Sequence, residues 1–252
     1  MQAVNRKMNV LIDRNIEINV ITHKTVLSPQ LIRWGPHAQI IEIAQRAHFP
    51  PRDDESFRRE QLPYLATLCN LAKEGRLQFL TSHEMRMEKF RQRGRCEGYL
   101  GINLLQDVPV KSVRCPVQRS FLIGPSGSHG VTEEEQMGFF RSIQHPRFLQ
   151  IRNATGDAHI DGAFHLWTAE EAALDAFLTM DQRFWRVVNQ RKKIINSPVL
   201  VVTPKELCEH LGAKPTDIEK LAAGINPFRQ RIASGGCFAY CGPFPKHTLK
   251  AR

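Results

Sequence analysis

Apolar residues fall in two alternating patterns along this chain: short unbroken runs and wider helical stripes. Asn9-Val10-Leu11-Ile12 is a compact run that stops at Asp13, and Leu77 to Thr81, Ala176 to Thr179 and Ser197 to Thr203 repeat the form. Runs this short and this apolar predict strands, the one at Ala176 buried in a parallel sheet. Between the runs the spacing shifts toward 3.6. Leu62, Leu65, Leu68, Cys69 and Ala72 line one face of a helix predicted over 55–73, which Pro63 weakens at its start and Gly75 stops. Residues 40–47 carry helical spacing too. Ser82 is placed to cap a helix bearing Glu84, Met85 and Glu88. In Phe164 to Ala173 the apolar residues favour one side and Glu170 and Glu171 the other, with Asp161 ahead of the first turn as a cap. A basic, helix-compatible segment then runs to Lys193, and Pro204 opens a last helix that Gly212 ends.

From Gly94 to Thr155 the pattern dissolves into Gly and Pro punctuation, with one short helix predicted over 133–143. The 124–130 loop lacks the Lys-Ser/Thr ending of a phosphate-binding loop and reads as a surface connection. Four strands alternating with helices predict an α/β fold, a three-layer sandwich with a mainly parallel sheet. It would span 8–212, with an insertion at about 94–155 and a basic Gly- and Pro-containing C-terminal extension over 213–252.

Composition narrows the class. At 252 residues, 42% hydrophobic and 24% charged, the chain can bury a full core. No apolar run nears the ~18 residues of a membrane span, and the first residues lack a secretory signal, so a cytoplasmic protein with no membrane partner is expected. Six scattered cysteines without a C-x-x-C pair fit reduced thiols. The net charge of +10 and a pI near 9.6 favour a polyanionic partner. The positive charge clusters in Arg86, Lys89, Arg91, Arg93 and Arg95, and again in Arg183, Arg186, Arg191, Lys192 and Lys193.

The acids complete the pattern. Asp13 and Asp181 stand where predicted strands end, Glu88 lies on the helix after the second strand, and Asp161 opens the helix before the strand leading to Asp181. In open parallel sheets the ligand crevice lies beyond the carboxyl ends of the strands. Ile12-Asp13-Arg14-Asn15, Leu77 through Glu88, His165-Leu166-Trp167-Thr168-Ala169 with Phe177 through Asp181, and Val199 through Leu207 together resemble the PIN-domain nucleases, a family that includes VapC-type toxins. The likeness covers about half the chain. Arg14 replaces the family's small Thr or Ser, and its third Asp, three residues before His165, is Gly162 here.

That resemblance implies a metal-dependent ribonuclease using Mg²⁺ or Mn²⁺, with a toxin-like role among the expectations it carries. Asp13, Glu88, Asp161 and Asp181 would hold the metal and carry catalysis, with Asp157 in reserve as a ligand; Asn15 and Thr179 would orient ligands or water. Hard carboxylate oxygens suit these ions, which also take phosphate oxygens. The second basic cluster would contact nucleic acid. Expected partners are RNA, with an antitoxin-like protein and a second copy of the chain as further candidates. Three other readings stand beside this one: a catalytically defective nucleic-acid-binding or scaffold module; a metal cluster formed by Asp157, His159 and Asp161; and zinc at Cys237, Cys241 and His247.

Overall fold

A computed structural model describes residues 7–35, 37–48, 56–91, 101–119 and 132–218. In chain order the elements are β1 (Met8–Ile12), α1 (Arg14–Asn19), β2 (Ile21–Trp34), β3 (His37–His48), α2 (Ser56–Lys73), β4 (Leu77–Ser82), α3 (His83–Arg91), β5 (Ile102–Asn103) and β6 (Val110–Val113). They continue with α4 (Glu133–Ser142), α5 (Pro146–Thr155), a 3-10 turn (Asp157–His159), α6 (Ile160–Glu171), β7 (Ala176–Leu178), α7 (Gln182–Gln190), α8 (Lys192–Ile195), β8 (Leu200–Val202) and α9 (Pro204–His210). Arg93 and Arg95, the 124–130 loop, the Cys237, Cys241 and His247 group and most of the C-terminal extension lie outside the described residues.

The main sheet has five strands in the order β6-β4-β1-β7-β8. Every neighbouring pair is parallel. β1 shows why its sequence is uninterrupted. Val10 and Ile12 pack into a core with Leu62, Leu65 and Leu68 of α2 and Leu207 of α9, whereas Leu11 packs into a second core with Phe164 and Trp167 of α6 and Phe148 of α5. β7 repeats this, with Ala176 and Leu178 on the first side and Phe177 on the second. Side chains alternate across a strand, so both faces must be apolar when helices cover both. The outcome is an α/β domain with helices on either face of a parallel sheet.

Local signals end the elements. Gly75 takes φ +80° after α2, a conformation that favours glycine. Thr203 and Glu206 form a reciprocal capping box at α9, with Pro204 in its first turn. Ser82 Oγ accepts from the Met85 amide at 3.3 Å, which starts α3. Residues 101–155 supply β6 at the sheet edge beside β4, the small strand β5, and α4 and α5.

The expected helix over 40–47 is instead part of β3. β2 and β3 form a long antiparallel hairpin, in register from His23 opposite His48 to Trp34 opposite His37. Gly35, at φ +59°, sits in the turn that joins them. Ile40, Ile41 and Ile43 satisfy a helical stripe and a β-branched strand equally, and the backbone bonds of a distant partner decide for the strand. With β5 the hairpin makes a separate three-stranded sheet. No helix among the described residues is long and apolar enough to cross a membrane.

Candidate functional site

In the main sheet the chain moves outward from β1 to β4 and β6 on one side, and to β7 and β8 on the other. The crossovers diverge there, at the end of the sheet where open parallel folds place their ligand crevice. Asp13 is the first residue past that end. Its amide donates to the Leu178 carbonyl at 2.9 Å, so strand pairing sets it beside Thr179 at the exit of β7. Thr179 Oγ1 donates to Asp13 Oδ2 at 2.6 Å, and Asn15 Nδ2 reaches the same oxygen at 3.3 Å. Thr179 Oγ1 also accepts from the Asp181 amide at 3.0 Å, tying both strand exits together.

The Asp13 side chain is pushed up from an ordinary 3.8 to about 6. Burial is the largest cause; the Thr179 hydrogen bond and the charge of His165 oppose it, and the charges of Glu88 and Asp161 add to it. Two further carboxylates therefore lie within electrostatic reach of Asp13. Glu88 comes from α3, and Asp161 from the first turn of α6. Asp161 is inside that helix rather than ahead of it, and its Oδ1 accepts the Gly162 amide at 2.8 Å. His165, one turn on, shares its face.

His165 is 1% exposed and Glu88 3% exposed. Their Nε2 and Oε1 are 3.0 Å apart. Burial alone would lower the imidazole, but the charge and hydrogen bond of Glu88 outweigh it and raise His165 above its ordinary value. Glu88 Oε2 faces Arg14 Nη1 at 3.7 Å. The packing that aims His165 is aromatic: Phe164, its neighbour on α6, stacks on Phe140 of α4 with ring centres 4.5 Å apart.

The structure separates the other candidates. Asp157 does not join the group: its carboxylate is 63% exposed and holds Arg152 at 2.7 Å, which lowers it below the ordinary range. His159 lies beside the Phe184 ring, with centres 6.0 Å apart, and not with Asp157 and Asp161 in a metal cluster. Asp181 is at the strand exit as expected, yet it caps α7, its Oδ1 accepting the Arg183 and Phe184 amides at 2.9 and 3.0 Å. Arg183, Arg186, Arg191, Lys192 and Lys193 are all exposed, on α7, at the α7–α8 junction and on α8.

Gly162 is tightly packed. A Cβ there would lie 2.7 Å from two ring carbons of Phe184, so an aspartate cannot replace it without moving that ring. Asp161 is the acid one position earlier. Glu84 and Glu88 are four residues apart on α3 and so share a helical face. The structure sends Glu84 elsewhere, to a bidentate pair with Arg119 at 3.0 and 2.9 Å and to Gln136 Nε2 at 2.7 Å. Arg14 as the partner of Glu88 was missed, and no local pattern marks it.

Among the described residues no group of three or more His, Cys, Asp and Glu side chains is arranged to hold a metal ion. The donors are nevertheless of the right kind. Asp13 is a buried carboxylate short of positive charge, and Asp161 adds hard oxygen. Glu88, by contrast, already has cationic groups beside both oxygens.

The molecule is thus a parallel α/β domain with Asp13 at the carboxyl end of its central strand and with Glu88, Asp161 and His165 within electrostatic reach of it. Comparison with family models, curated proteins and solved structures finds no match to this chain.

Proposed function

We propose that the chain is a metal-dependent ribonuclease of the PIN-like kind, hydrolysing phosphodiester bonds with Mg²⁺ or Mn²⁺. The observation that carries this reading is the buried Asp13 at the carboxyl end of β1, with Glu88 and Asp161 from two other elements within electrostatic reach of it. Like charges gathered in a buried place need a counter-ion. When bound, the cation would supply an activated water and neutralise charge at the phosphate. Asp13 and Asp161 would hold it, with Glu88 and Asp181 completing the set. Thr179 and Asn15 fix the Asp13 carboxylate by direct hydrogen bonds. His165 holds Glu88 in place rather than moving a proton, because its Nε2 is committed to that carboxylate. The exposed cations of α7 and α8 would take the phosphate backbone. A toxin-like role with an antitoxin-like partner belongs to the same proposal and rests on the sequence resemblance alone.

The test is cleavage of a fluorescent single-stranded RNA by the purified full chain with Mg²⁺, Mn²⁺ or EDTA. Metal-dependent cleavage that falls by orders of magnitude in Asp13→Asn is expected. Unchanged cleavage in that variant would end the proposal.

One observation favours a second reading, a catalytically defective nucleic-acid-binding module. Arg14 and His165 flank Glu88, so an intact ion pair leaves this acid little need of metal. On that reading wild type does not cleave under any of these conditions, and still binds RNA.

A further inference from the structure

A cavity of about 460 Å³ opens at the carboxyl ends of β4 and β6, on the same edge of the sheet as Asp13. Its described walls include His83, Ser112, Arg114, Gln118 and Arg119, and the one acid among the described lining residues is Glu84. That acid is 2% exposed and already held by Arg119 and Gln136. Arg119 is fixed twice, by its two bonds to Glu84 and by lying over the Phe139 ring at 4.7 Å. Among the described lining residues the Arg119–Glu84 pair is neutral, and Arg114 leaves a net positive charge beside it, with hydrogen-bonding groups around. The volume lies in the range of sites for drug-sized ligands, far beyond a lone phosphate ion.

Position gives the cavity its meaning. Thr81 pairs with Ser112, so the cavity stands two strands from β1, roughly 10 Å at ~4.8 Å per strand. On the other side of β1, α7 begins just past β7 and presents Arg183 and Arg186. From the start of α7 past Asp13 to the cavity is three strand spacings, roughly 15 Å. At ~3.4 Å per stacked nucleotide that is a stretch of about four. We infer that this cavity seats one nucleotide of a single-stranded nucleic acid whose backbone runs along the carboxyl edge, from the cations of α7 past Asp13. The inference rests on the nucleic-acid reading above and deepens it. The substrate it names is a strand, since a ligand that stands at Asp13 and also fills the cavity must cross two strand spacings.

The experiment measures fluorescence anisotropy of fluorescein-labelled hexauridylate and diuridylate on the full chain in EDTA, where no turnover occurs. Wild type is expected to bind the hexamer at least tenfold more tightly than the dimer. Arg114→Ala, a change at an exposed residue, should weaken the hexamer at least fivefold and leave the dimer unchanged, and Arg114→Lys should restore part of the loss. The salt dependence of hexamer binding should flatten by about 0.7 in log–log slope for the contact removed. Equal hexamer affinity in wild type and Arg114→Ala overturns the subsite, as does full displacement of the hexamer by an equimolar amount of inorganic phosphate. Cleavage that persists while Arg114 proves irrelevant leaves the nuclease reading intact. Absence of cleavage with Arg114-dependent binding keeps the subsite on a binding module.

Discussion

Asp13→Asn should make the metal-free protein more stable, by a gain that is absent at low pH and complete only at neutral to alkaline pH. The Asp13 carboxyl binds its proton more tightly in the folded chain than in the unfolded one, because burial disfavours the charged form. Stability linked to it is fully present below the ordinary 3.8 and is lost as pH rises through about 6. Moving from 3.8 to about 6 corresponds to about 3 kcal/mol once the carboxylate is ionised. About half of that has already accumulated at pH 5. Asparagine has nearly the same shape, and its amide oxygen can stand where Oδ2 accepts from Thr179 and Asn15. The charge is then the main thing removed. Urea unfolding in EDTA at pH 8 should show the variant more stable by up to about 3 kcal/mol, a midpoint higher by roughly 1.5 M at a urea dependence of about 2 kcal/mol/M. The gain should halve at pH 5. Adding Mg²⁺ or Mn²⁺ should stabilise wild type by mass action and leave the variant where it was. A variant less stable than wild type at pH 8, or a difference indifferent to pH, would refute the assignment of Asp13 as a carboxylate lacking its counter-charge.

Three further outcomes follow from neighbouring contacts. Glu88→Gln strips the buried His165 of its carboxylate and should lose about 3 kcal/mol at pH 6. His165 is raised when folded, so that stability is present below its ordinary 6.5 and fades as pH climbs through the folded value; chemical denaturation at pH 6 and 9 should show the loss shrinking. Gly162→Ala drives a methyl into Phe184, a strain that exceeds the helix preference of alanine, and calorimetry should find Tm lower by about 2–6 °C. Replacing Arg191, Lys192 and Lys193 with glutamine should weaken RNA binding across sequences and flatten its salt slope by about 0.7 per lost phosphate contact, with stability unchanged. An unaltered slope would remove this face from the path of the strand.

What the sequence determined by itself was local. Val10-Leu11-Ile12 and Ala176-Phe177-Leu178 are apolar at every position, and runs this short fit strands covered on both faces, so a parallel sheet was readable before any contact was known. The acid after each run, Asp13 and Asp181, was readable for the same reason, since chain order alone puts it at a strand exit. Tertiary structure decided which acids meet. Asp157 and Asp161 are one turn apart in sequence, yet Arg152 takes the first, while the aromatic packing of α6 fixes the helix that carries the second toward Asp13. Glu84 and Glu88 share a helical face, and partners at Arg119 and His165, far along the chain, send them to different tasks. The stretch from Ile40 to Ala47 became strand because β2 lay ready to pair with it. In each case periodicity states what a segment can bury, whereas the partner is chosen by long-range register and packing, which no window of the sequence contains.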